Sequence, residues 1–168
     1  IIETMNDSLG VYANQHGKMM GTTVSAILLY QGRYYICHVG DSRIYKFDTD
    51  ICQLTEDHTL VAQEVRMGLL TEEESQKDPR RSVLLQCVGA SDIINPQYES
   101  GDISGETTFI LCSDGFVHML SKEELKNGFM PGNIQNKEQG NEICEQLVRL
   151  AMERGEQDNI TVIAIVTK

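Results

Sequence analysis

Two stretches leave this chain little choice of architecture: TTFILCS, residues 107–113, and NITVIAIV, residues 159–166. The first reads as a strong strand running through a core. The second is almost wholly apolar and rich in β-branched residues, so a strand there is expected to be covered on both faces. A sheet holding such strands needs other layers over it, and the remainder of the chain can supply them. Residues 1–15 place Ile2, Met5, Leu9 and Tyr12 at helical spacing, and residues 57–68 return to that spacing before stopping at Gly68. SKEEL at 121–125 opens a helix with a capping-box pattern, and 138–155 is a long amphipathic helix closed by Gly155. The runs 22–30, 33–39 and 43–48, separated by short turn signals, predict an antiparallel meander. Residues 82–90 read as a strand or short buried segment, and 96–103 as a weaker strand. The expectation is a single α+β domain over residues 1–168 with mainly antiparallel strands.

Charge narrows the partners. Twenty-five acidic against 14 basic residues give a formal net charge of −11. A surface of that sign repels nucleic acid and anionic membranes and suits metal cations. Seven acidic and two basic residues fall between Thr55 and Asp78, a pattern expected of a solvated face. No apolar run is long enough to span a bilayer. Of the five cysteines, Cys37, Cys87, Cys112 and Cys144 lie in apolar runs with no C-x-x-C pair, which points to reduced thiols and a cytoplasmic setting.

Three aspartates share one situation. Asp41 follows YYICHVG, Asp114 follows TFILCS, and Asp158 immediately precedes NITVIAIV. If the strands ending at Asp41 and Asp114 run one way and the last strand runs the other, the three carboxylates gather at one sheet edge. Each has Gly or Asn beside it, which permits tight turns with positive φ. Aspartate is a good turn residue in any protein, but crowded carboxylates repel unless a positive charge sits among them. An oxygen-only donor set favours a hard cation, Mg²⁺ or Mn²⁺.

The motifs GTT (21–23), GDSR (40–43), LTEDH (54–58), SDG (113–115) and DNITV (158–162) stand in the order and rough spacing of the PP2C-type metal-dependent protein phosphatases. The chain most resembles their bacterial branch, from Gly21 to Val166. The resemblance implies a β-sandwich flanked by helices and the hydrolysis of phosphoserine and phosphothreonine in proteins with two Mn²⁺ or Mg²⁺ ions. It implies that Asp114 and Asp158 bind one metal of the pair, and that Asp41 with Asp114 holds a third, looser ion. Phosphorylated proteins, with a Ser/Thr kinase or its targets, are the implied partners, in bacterial signalling. Residues 61–81 resemble the mobile flap beside the family's site. The Asn-Glu-Asp and Asp-Gly-x-Gly-Gly motifs of the family's N-terminal half do not occur here, nor do its phosphate-gripping arginine and its acid histidine. The chain therefore resembles the C-terminal two-thirds of such a phosphatase, with no catalytic residues expected beyond the metal ligands. Alone it is expected to be inactive and prone to self-association.

Two other readings compete. A non-catalytic binding module or pseudophosphatase would keep the fold and lose the chemistry. CHVGDSR (37–43) also matches C-x-x-G-x-x-R, the phosphate loop of cysteine-dependent phosphatases, with Cys37 as nucleophile and Arg43 on the phosphate. That loop must run into a helix whose N-terminal amides hold the anion, whereas RIYKFD reads as a strand. His58 is expected to hydrogen-bond at the start of its helix, Arg43 to stabilise a turn, and Arg80 and Arg81 to lie on the surface. Ser113 lacks a base.

Overall fold

The computed structural model describes residues 1–168. In chain order the elements are α1 (Ile2–Gln15), β1 (Val24–Tyr30), β2 (Arg33–Val39), β3 (Arg43–Phe47), β4 (Ile51–Gln53), α2 (Leu60–Arg66), α3 (Glu72–Lys77), β5 (Gln97–Asp102), β6 (Thr107–Cys112), α4 (Asp114–Val117), α5 (Lys122–Phe129), α6 (Lys137–Glu153) and β7 (Val162–Thr167). They form an α+β fold with one three-stranded sheet, ordered β1–β2–β5, and one four-stranded sheet, ordered β4–β3–β6–β7. The predicted meander therefore breaks at residues 40–42. Instead of pairing with β2, β3 pairs antiparallel with β6, Arg43 opposite Cys112.

The chain divides into two compact units. The first comprises Ile1–Leu28, Tyr35–Ser42 and Glu56–Glu99; the second comprises Leu29–Tyr34, Arg43–Thr55 and Ser100–Lys168. In the first, Val39, Val88 and Ile94 form a buried cluster with Ile2 and Leu9 of α1 against it. The segment 82–90 is not a strand. It makes isolated bridges, Val88 to Thr22 and Leu84 to Thr59, and turns at Gly89 with φ +97°. Within the acidic stretch between Thr55 and Asp78, Glu72–Lys77 is helical, because Thr71 and Glu74 complete a capping box at the start of α3.

The second unit is built on the four-stranded sheet. β6 is central, and Thr107, Thr108, Phe109 and Ile110 are all buried. Its neighbour β7 is antiparallel, with Cys112 opposite Val162 and Thr107 opposite Thr167. The expectation that β7 is covered on both faces fails. It is the edge strand of the sheet, Ile163 is 54% exposed, and an apolar groove lies between it and α6. Phe47, Phe116 and Phe129 lie fully buried in one cluster that locks α4 and α5 onto the sheet. Each of those rings carries roughly 3–5 kcal/mol against truncation to alanine. The expected caps form: Ser121 and Glu124 close a capping box on α5, and Gly155 follows α6 with φ +96°.

Candidate metal centre

A carboxylate at the end of a strand goes where the strand points. β6 ends at Cys112, and Asp114 begins α4 two residues later. β7 runs antiparallel to β6, and Asp158 lies four residues before Val162, which pairs with Cys112. The two aspartates thus belong to the same end of the sheet. Their turns are stitched together by Ser113. Its backbone N–H donates to the Thr161 carbonyl (3.0 Å), its Oγ donates to the Asn159 carbonyl (3.1 Å), and Oγ accepts from the Thr161 N–H (3.0 Å). This serine is a tie between loops, with both capacities of its hydroxyl engaged.

Gly115 explains the glycine of SDG. A β-carbon built there would lie 3.1 Å from the Asn159 carbonyl and 3.4 Å from the Asp158 β-carbon. The residue is helical, so it is required by close approach rather than by the positive φ expected from the sequence. Asp114 Oδ1 accepts from the Gly115 N–H (2.9 Å) and Asp158 Oδ1 from the Asn159 N–H (2.7 Å). Each carboxylate is thereby oriented through one oxygen. The other oxygen of Asp158 makes no hydrogen bond, and that of Asp114 faces only the His118 ring. Two such carboxylates fit a hydrated Mg²⁺ or Mn²⁺, which binds through one or two carboxylates and keeps several waters. No three His, Cys, Asp or Glu side chains converge as a ready-made cage.

Two further side chains at this end of the sheet escaped the sequence reading. One turn after Asp114, His118 turns Nε2 toward Asp114 Oδ2 (3.7 Å) and Nδ1 toward Glu156 Oε2 (3.3 Å). Glu156 Oε1 accepts from the N–H groups of Gln157 and Asp158, each at 2.9 Å. Those backbone bonds, above all that from Asp158, hold its carboxyl below the usual range. The available signal was the i, i+4 spacing of His118 from Asp114, usable only once a helix is known to start at Asp114.

Asp41 belongs to the first unit. The turn before it is held by two histidines. Gly40 adopts φ +118°, its N–H donates to His58 Nδ1 (3.1 Å), and its carbonyl accepts from the His58 N–H (2.8 Å) and from His38 Nε2 (3.0 Å). His38 Nε2 also meets the Glu56 carbonyl (3.1 Å), so it carries the proton and Nδ1 accepts from Ser25 Oγ (2.8 Å). Burial lowers the pKa of His38, and burial with neighbouring His38 pushes His58 down to about 4. His58 therefore does hydrogen-bond just before α2, whose N-cap is Thr59. Its bond reaches across to Gly40 rather than to its own helix.

The remaining candidates resolve as follows. Cys37 lies in β2 and Arg43 opens β3, so the C-x-x-G-x-x-R stretch runs into a strand and lacks the helix an anion loop requires. Arg43 donates to the Tyr45 hydroxyl (3.1 Å). Arg80 is held by Asp78 and by both oxygens of Glu64. All five cysteines are free thiols, and no helix is long and apolar enough to cross a membrane.

Comparison with known proteins gives the family and the fold. Residues 6–156 match the family model described as Protein phosphatase 2C. The Listeria innocua serine/threonine phosphatase stp is 30% identical over 167 residues, covering 98% of this chain and 64% of that protein. Protein phosphatase PhpP of Streptococcus pneumoniae is 32% identical over 147 residues, covering 87% of this chain and 58% of the relative. Among solved structures, serine/threonine phosphatase Stp1 from Staphylococcus aureus superposes with a TM-score of 0.90 at 28% identity, over 99% of this chain and 65% of that one. The catalytic domain of serine threonine protein phosphatase PstP in complex with 2 manganese ions gives 0.79 at 28% identity, over 97% and 67%. The chain thus spans just under two-thirds of the length of the Listeria and Staphylococcus proteins.

Proposed function

The chain belongs to the protein phosphatase 2C family, and from that premise we propose that it forms the metal-holding part of a phosphatase acting on phosphoserine and phosphothreonine in proteins. The observation that carries this reading is the pairing of Asp114 and Asp158 at one end of the β6–β7 ladder, each with an outer oxygen that takes no hydrogen bond. Asp114 and Asp158 would hold Mn²⁺ or Mg²⁺, and Asp41 is added as a further ligand on its GDSR motif alone. Such cations, held by Asp114 and Asp158, would supply a water of lowered pKa and offset charge on the phosphoryl oxygens. The chain's own residues do the positioning. Gly115 and Asn159 turn the two carboxylates through their N–H groups, and Ser113 keeps the loops in register.

Phosphoproteins are the substrate class, and a Ser/Thr kinase or its targets are the partners this implies. The free thiols suit a reducing cytoplasm. Two carboxylates hold a cation less firmly than a fuller ligand set, and one cation polarises a water less than a pair does, so the 168 residues alone should bind Mn²⁺ weakly and turn over little phosphate.

Titration with Mn²⁺, followed by the EPR signal of free aquo-Mn²⁺, tests the reading. Asp114→Asn and Asp158→Asn should each lose more than about 100-fold in affinity, beyond the loss typical of a supporting residue. Unchanged binding in both variants, with the fold intact by circular dichroism, would remove the metal site.

A further inference from the structure

We propose that His118 and Glu156 form a positioning strut that ties the Asp114 carboxylate to the backbone of the Asp158 turn. The inference rests on the reading of Asp114 and Asp158 as metal ligands and adds what holds them at a fixed separation.

The continuity of contacts carries it. Asp114 Oδ1 is occupied by the Gly115 N–H, so Oδ2 is the oxygen available to a cation, and Oδ2 is the atom that His118 Nε2 faces at 3.7 Å. The other ring nitrogen lies 3.3 Å from Glu156 Oε2. Those two atoms, Nδ1 and Oε2, are buried and neither makes a hydrogen bond, so each is the other's polar neighbour in an ion-pair contact. Glu156 Oε2 can only accept as a carboxylate, and Nδ1 is the ring nitrogen that lies beside it. The second oxygen of Glu156 accepts the Asp158 N–H at 2.9 Å. One line of groups therefore runs from one carboxylate, through an imidazole and a second carboxylate, to the main chain of the other.

The burial shows that the link is more than a surface ion pair. The Glu156 side chain is only 6% exposed, and a buried acid with an orphaned oxygen is costly. Exposed ion pairs elsewhere in the chain, such as Lys77 with Glu73, lack that enclosure. Without a cation, Asp114 and Asp158 repel and would swing apart. A strut that packs against the Asp114 carboxylate and holds the height of the Asp158 turn resists that swing, as groups placed beside metal ligands commonly do.

The same Mn²⁺ titration on the 168-residue chain, paired with urea denaturation of the metal-free protein, tests the strut. His118→Asn keeps a donor near the Nδ1 position for Glu156 but removes the group facing Asp114. It should leave the urea midpoint close to that of the parent and still weaken Mn²⁺ about 10- to 100-fold. Glu156→Gln retains an acceptor for the Asp158 N–H and should weaken binding to a similar degree. Because both act through one line, the double variant should bind no worse than the weaker single one. Parent-like Mn²⁺ affinity in His118→Asn, or losses that add in the double variant, overturns the strut. Parent-like affinity in Asp114→Asn overturns instead the metal reading beneath it, and the two failures are told apart by that control.

Discussion

Gly40–Asp41 and Asp114–Gly115 look like the same device reversed: a strand, a glycine and an aspartate. The structure holds them by different means. Gly40 sits at φ +118°, where side chains are rarely tolerated, and two histidines clamp its amide and carbonyl. Gly115 has ordinary helical geometry and is glycine because the Asn159 carbonyl lies against it. One glycine is demanded by backbone conformation and the other by space. Equal sequence signatures therefore need not break in equal ways, and the two turns should respond differently to substitution and to acid.

The largest difference is expected from Gly40→Ala. A β-carbon there would lie 2.5 Å from Thr23 Cβ and closer still to Cγ2, and the φ remains unfavourable whatever the space. Backbone strain of roughly 1–3 kcal/mol and overpacking of roughly 1–3 kcal/mol act together, so a loss of about 4 kcal/mol in urea denaturation is expected. Adding Thr23→Gly should recover only the overpacking part. Full recovery in the double variant would show that Gly40, too, is a matter of space, and the contrast between the turns would collapse.

Acid should also separate the two regions. The His58 ring is partly buried, and burial together with His38 places its pKa at about 4 in the fold against 6.5 in the unfolded chain. Between those values the unfolded chain binds a proton that the folded chain refuses. Stability is therefore full above pH 6.5 and falls as the pH drops toward 4. His38 shifts in the same direction. Halved for solvent screening of a half-exposed ring, the His58 contribution amounts to about 1 kcal/mol lost between pH 7 and pH 5. His58→Asn offers an uncharged acceptor near the Nδ1 position and should flatten this slope. A slope unchanged by the substitution would mean that protonation of His58 does not loosen the Gly40 clamp.

The same contrast shows how far the sequence could be read. Strand β6, the capping box at Ser121 and Glu124, and helices α1 and α6 were legible because periodicity and caps are local. That Asp114 and Asp158 fall at one end of the β6–β7 ladder was legible too, since strand ends carry their loops with them. The change of sheet between β2 and β3 was not. Either partner satisfies the backbone of β3, and the choice of β6 depends on residues more than 60 positions away. The apolar run of β7 implied cover on both faces, but composition does not record whether a neighbouring strand is present, and here it lies at an edge. His118 and Glu156 stayed hidden because a helix of four residues has too few turns to show a period.

The smallest effect on stability, and the sharpest test of the second turn, is expected from Gly115→Ala. The new β-carbon would meet the Asn159 carbonyl at 3.1 Å, tight enough that the loop must give by a few tenths of an ångström. Alanine is favoured over glycine in a helix by roughly 0.5–1 kcal/mol, which offsets most of that strain. The urea midpoint should therefore change little, by less than about 1 kcal/mol in stability. The displacement, however, falls on Asn159 and its neighbour Asp158, whose β-carbon is the next atom in the way at 3.4 Å. Mn²⁺ affinity should drop by about tenfold or more even though the fold is intact, because a ligand moved by tenths of an ångström loses orientation rather than charge. In Gly40→Ala the order of effects is reversed, with stability failing first. A Gly115→Ala variant that lost several kcal/mol of stability would show the turn to be held by conformation after all. One that kept both stability and Mn²⁺ affinity would show that the close approach of Gly115 to Asn159 has no part in placing Asp158.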